Sequence, residues 1–84
     1  MNANNRKLAD HLYAISDLLE KDSEPYRASA YSYAAQAIEK LEDDVTAENA
    51  MNIRGVGKSI AKTIKEFNET GNSSKYTDLE QKIK

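Results

Sequence analysis

Apolar residues recur every three or four positions along nearly all of this sequence, and strand signals are nearly absent. In "RKLADHLYAISDLLEK", Leu8, Leu12, Ile15, Leu18 and Leu19 fall on one stripe of a helix. "DSEPY" breaks the run: Ser23 is a capping residue and Pro25 suits a first helical turn. A second helix is expected from about Tyr26 to Leu41, with Ala30, Ala34, Ala37, Ile38 and Leu41 inward. Its alanines suit close approach to a neighbouring helix.

The acidic "EDDV" reads as a loop, and Thr46 can cap a short third helix over "AENAMNI". A fourth helix begins near Lys58, with Ile60, Ala61, Ile64 and Phe67 as its core face. Gly71 stops it, since glycine takes the left-handed conformation that helix ends need. After a polar "NSS" loop, Tyr76, Leu79 and Ile83 give a last short helix its inner face. The reading is an all-α bundle of four to five helices, a single domain over residues 1–84 without internal repeats.

With 84 residues there is room for one modest core. The absence of cysteine removes disulfides, thiolate metal sites and cysteine nucleophiles. A lone histidine, His11, expected on the outer face of the first helix, leaves too few ligands for an ordinary zinc site. Glu42, Asp43 and Asp44 are expected in an exposed loop rather than a metal or catalytic cluster. No apolar run is long enough to span a bilayer, and "MNANNRK" lacks the apolar core of a secretory signal. That opening is expected to fray, and the protein is expected to be soluble and intracellular, with no membrane partner. The net charge of -2, from 12 basic and 14 acidic residues, is not that of a bulk-charge nucleic-acid binder. Binding of that kind would need a local patch or backbone amides.

"IRGVGKSIAKTI", residues 53 to 64, is the stretch with chemical potential. "GKS" is not a P-loop: the further glycine of that motif would stand at Asn52, and no strand precedes it. What remains is a short helix, "RGVG" and a longer helix. Two glycines two apart permit a hairpin with unshielded backbone, and Val56 between them can anchor it to the core. The helix that starts at Lys58 directs its unpaired amides and positive dipole end into the same space, which suits a phosphate oxygen. The same glycines would serve equally if two helices merely packed at a sharp angle. The stretch alone leaves both open.

Taken together, "IRGVGKSIAKTI", "PYRASAYSYAAQAIEKL", "EFNETG" and "LEQKI" resemble the helix-hairpin-helix-containing N-terminal domain of family X DNA polymerases, the DNA polymerase beta group. The order of elements matches from about Leu8 to Ile83. The resemblance implies non-sequence-specific binding of single-stranded or gapped DNA and of the 5′-phosphate at a gap, in repair or replication. A polymerase or another repair protein is the implied protein partner. Gly55, Val56, Gly57, Lys58 and Ser59 would hold the DNA backbone, Arg27 would stand near the 5′-phosphate, and Tyr31 would line that pocket. Main-chain carbonyls of Met51, Ile53 and Val56 would take a Na+ or K+ ion, with no other cofactor implied.

The departures from that pattern bear on chemistry. Active members form an imine through a lysine whose place is taken here by Thr63, which has no amine. Lys62 is adjacent but rotated by about 100°, away from the core stripe. A lysine nucleophile also needs burial or cationic neighbours to depress its pKa. Met51 replaces a basic residue of the phosphate pocket, and Arg54 replaces the proline before the glycine pair, adding a charge near the expected contact. Read this way, the binding scaffold is kept and the lyase chemistry is lost.

Lys58, Lys62 and Lys65 share the solvent face of the fourth helix and would supply phosphate contacts. Tyr26, Tyr31, Tyr33 and Tyr76 could stack on unpaired bases, Tyr31 foremost. The alternatives are an active 5′-deoxyribose-phosphate lyase using Lys62, Lys58 or the N-terminal amine, and a protein-interaction module, which the acidic balance and "LEDD" would suit.

Overall fold

A computed structural model describes residues 2–83. Four α-helices, α1 (Ala3–Lys21), α2 (Pro25–Glu39), α3 (Lys58–Thr70) and α4 (Ser74–Ile83), carry the fold. A 3-10 turn at Ala50–Asn52 precedes the glycine pair, and there is no strand among the described residues. The short third helix expected over "AENAMNI" is thus only this turn. Thr46 does cap there: its Oγ1 accepts from Asn49 N–H at 3.2 Å, while Asn49 Oδ1 accepts from Thr46 N–H at 2.9 Å.

The α1–α2 pair forms the body of the core, and α4 lies across α1. Leu8, Leu12, Ile15 and Leu19 of α1 meet Ala28, Ala34, Ala35 and Ile38 of α2, all fully buried. Small side chains on α2 let the two backbones approach, as the sequence implied. The register differs in detail, however. Ala30 and Leu41 are exposed, and Ala28, Tyr31 and Ala35 are buried in their stead. Leu41 lies beyond the end of α2, where the chain has already turned away from the core.

Ser23 plays a different part from the capping role expected of it. It takes a left-handed conformation, φ 60, and closes α1 in a Schellman motif. Glu24 N–H bonds Leu19 O at 2.9 Å and Ser23 N–H bonds Glu20 O at 3.1 Å. Glu24 becomes the N-cap of α2 without a side-chain cap, and Pro25 occupies the first turn as expected.

From Asn2 onward the opening is held in place rather than frayed. Asn2 caps α1, its Oδ1 accepting from the N–H groups of Asn4 and Asn5. Asn5 is fully buried and satisfies the loop after α2: its Nδ2 donates to Leu41 O and Asp43 O at 3.1 and 2.8 Å, and its Oδ1 accepts from Val45 N–H at 3.0 Å. Polar "NNR" thus pins a loop that a polarity pattern would leave free.

Two further features set the position of α4. Ser73, read as loop, is buried and caps this helix, its Oγ accepting from Tyr76 N–H at 3.3 Å. The same Oγ lies 2.8 Å from His11 Nε2. His11 therefore does not sit on an outer face. Its ring stacks on Phe67 at 4.5 Å and leans on Tyr76 at 5.3 Å, and burial lowers its pKa below the ordinary value. At the far end, Lys82 Nζ meets Asp22 Oδ2 at 2.9 Å.

Candidate nucleic-acid interface

The hairpin begins as a turn in which Val56 N–H bonds Ile53 O at 3.1 Å. Its third residue, Gly55, has φ 91, the positive angle that a type II turn demands at that place. A Cβ there would also lie 2.4 Å from the ring of Tyr33, so glycine is required twice over. Arg54 fills the second position of the turn, where proline is favoured by its fixed φ but not required. Val56 turns inward and is 7% exposed, which anchors the hairpin with about 1.5 kcal/mol of apolar burial.

Gly57 is the N-cap of α3, and no side chain caps the helix. The first main-chain bond of α3 runs from Ala61 N–H to Gly57 O at 2.9 Å. The amides of Lys58, Ser59 and Ile60 therefore have no helical acceptor, and they lie where the helix dipole favours an anion. These residues line a groove of about 410 Å³. Its opposite wall is α2, through Arg27, Ala30 and Tyr31, and α4 closes one side with Lys75.

Three cations, Arg27, Lys58 and Lys75, border this groove, and no carboxylate does. That arrangement answers the charge problem posed by the net -2 of the chain. Arg27 Nε lies 3.8 Å from Glu24 Oε2, but both side chains are largely exposed, and such a pair holds a guanidinium weakly. Lys58 and Lys75 make no ion pair among the described residues. The groove can thus offer main-chain N–H groups and flexible cations to one anion at once.

Of the residues singled out from sequence, Gly55, Gly57, Lys58, Ser59, Arg27 and Tyr31 line this one groove. Val56 lies beneath it in the core. Arg54 faces a different groove, on the other side of the hairpin. Lys62 is exposed and borders neither. Lys75 escaped sequence reasoning, because its place beside the hairpin comes from α4 folding back across α1.

Tyr31 is 3% exposed, and its hydroxyl lies 3.2 Å from Thr63 Oγ1. So buried a ring has no open face for a base, and the stacking role expected of it first is not available. Tyr26 is 92% exposed and Tyr33 half-exposed, so they are the accessible rings. Thr63 is buried beside Ile60 and Ile64, and its Oγ1 also donates to Ser59 O at 3.2 Å. Met51 is half-exposed, Ile53 half-buried, and Ile53 O already accepts from Val56 N–H. No group of three or more His, Asp or Glu side chains is placed to hold a metal among the described residues.

A left-handed glycine turn that feeds an uncapped helix, set on a small all-α core, is the architecture of the site. This chain belongs to the helix-hairpin-helix family: the model of the helix-hairpin-helix domain matches residues 3–73. Domains of this family commonly bind DNA without sequence preference. No curated protein matches the sequence. No described helix is long and apolar enough to cross a membrane.

Proposed function

We propose that this chain binds DNA without reading its sequence, preferring single-stranded stretches, gaps and 5′-phosphate ends, in repair or replication. The observation that carries this reading is the single groove in which the free amides at the start of α3 meet Arg27, Lys58 and Lys75. A terminal phosphate carries more charge than an internal one. It gains more from a clustered site than a backbone phosphate does. The resemblance to the N-terminal domain of family X polymerases supports the same preference, and a polymerase or another repair protein is the proposed partner. A Na+ or K+ ion held by carbonyls of Met51, Ile53 and Val56 would reinforce the hairpin.

Binding without lyase chemistry is the form proposed. Thr63 has no amine, and its hydroxyl is engaged by Tyr31. Were an imine to form, Lys58 or Lys75 would be better placed than Lys62, since they border the groove. Borohydride trapping on a gapped abasic substrate should leave no covalent adduct. An adduct lost in Lys58→Ala or Lys75→Ala would establish the lyase instead.

Titration of gapped DNA with and without the 5′-phosphate tests the binding itself. The phosphorylated gap should bind several-fold more tightly, with a salt slope corresponding to about two to four phosphates. The double variant Arg27→Gln, Lys75→Gln should abolish the difference between the two ends. Equal affinity for both ends in the natural chain would refute the end preference, and absence of binding at low salt would refute the DNA reading as a whole.

A further inference from the structure

The hairpin has a second side. Opposite the phosphate groove, Tyr33, Gln36, Lys40 and Leu41 face Asn52–Arg54 across a groove of about 410 Å³. Tyr33 lies against Gly55, a residue that lines the first groove. It is half-exposed, and Leu41, a leucine with no place in the core, is 38% exposed beside it. No carboxylate lines this groove although the chain has 14 acids, whereas both Lys40 and Arg54 do. Neither cation makes an ion pair among the described residues.

We propose that this second groove is a nucleobase subsite, which receives an unpaired nucleotide of the strand whose backbone the hairpin holds. The assignment rests on the DNA-binding reading above and extends it from the backbone to the bases. An aromatic ring with an apolar floor of Leu41 and Ile53 suits the face of any base. The side-chain amides of Gln36 and Asn52 both donate and accept, so they can meet any base edge. Lys40 and Arg54 stand at the groove for the flanking phosphates. A base paired in a duplex cannot enter, because its face is stacked and its edge engaged. The groove would therefore favour single strands and gaps without favouring a sequence.

Charge also limits where the strand can run. On the α1 side of Tyr33 and Gln36 lies a cleft bordered by Asp17 and Glu20. Those carboxylates repel phosphate, which directs the strand along the hairpin towards Lys40. Charge likewise argues for a nucleic acid over a protein helix as the occupant: a groove carrying two unpaired cations and no acid is complementary to an anionic chain.

Amide shift mapping on the whole chain tests the assignment, with an oligothymidylate and a blunt duplex of equal length as probes. Amides of Gly55 to Ser59 should move with both probes, and those of Gln36, Lys40 and Asn52 with the single strand alone. Lys40→Gln combined with Tyr33→Leu should weaken single-strand binding about tenfold while duplex binding stays within about twofold. Because Tyr33 touches the hairpin, Lys40→Gln with Gln36→Ala serves as the independent variant, expected to act in the same direction. Hairpin amides that move while the groove amides stay fixed would overturn the subsite and leave the DNA-binding reading standing. Groove amides that respond equally to the duplex would overturn it too. If no amide moves with either probe, both readings fall together.

Discussion

Two stretches of non-helical backbone join the helices around this site, and they treat their polar groups in opposite ways. The loop from Leu41 to Asn49 is fastened by side chains: Asn2, Asn5, Asn49 and Asn68 all bond its main-chain groups. The hairpin from Ile53 to Gly57 is closed by one main-chain bond, buries only Val56 deeply and leaves the start of α3 uncapped. Backbone that is satisfied internally has nothing left for a ligand, and backbone held in place but unsatisfied has. The first loop serves the fold, and the second leaves main-chain groups open to a ligand.

The sharpest way to break this comparison is to remove Asn5, whose three hydrogen bonds hold the first loop. Asn5→Ala should cost about 3 kcal/mol in denaturant unfolding, since it strands buried main-chain groups. DNA affinity of the folded protein should stay within about twofold. If affinity fell in step with stability, the two loops would not have separate roles.

Gly55→Ala acts on the other loop. A non-glycine residue in the left-handed region costs about 1–2 kcal/mol, and the added methyl collides with the Tyr33 ring. Stability should drop by at least that amount and DNA affinity should drop with it. Adding Tyr33→Ala should recover the part due to the collision but not the part due to φ. Unchanged binding in Gly55→Ala would separate the hairpin from the interface.

The smallest effect concerns α4, which brings Lys75 to the groove. Burial lowers the pKa of His11, and the groups that face its ring, Phe67, Tyr76 and Ser73, carry no charge to offset a proton. The folded state therefore binds that proton more weakly than the unfolded chain. The resulting stability is complete above the ordinary value of 6.5 and declines as pH falls through it towards the lower folded value. Amide exchange should show α4 loosening over that window while the asparagine-fastened loop stays protected. His11→Phe should remove the pH dependence.

Much of this was legible because helices write a local code. The stripe Leu8, Leu12, Ile15, Leu19 needed only its spacing to be placed inside, and Gly71 ended α3 in the left-handed conformation as expected. The glycine pair and Val56 were legible for a similar reason, since turn chemistry is local. Asn5, Ser73 and His11 were misread on polarity, because each is buried by partners some 36 to 62 residues distant. Polarity predicts exposure only where no distant acceptor waits. Ser23 was misread as a cap because its left-handed angle serves the helix before it.

The sequence by itself determined the helices, the turn that demands glycine and the bare amides behind it, for these depend on neighbours within a few residues. Tertiary structure alone decided that Arg27, Lys58 and Lys75 border one groove, and that Tyr33, against Gly55, lines a second. Those residues lie on different elements, and their meeting is set by the packing of α2 and α4 on α1, which no local pattern encodes.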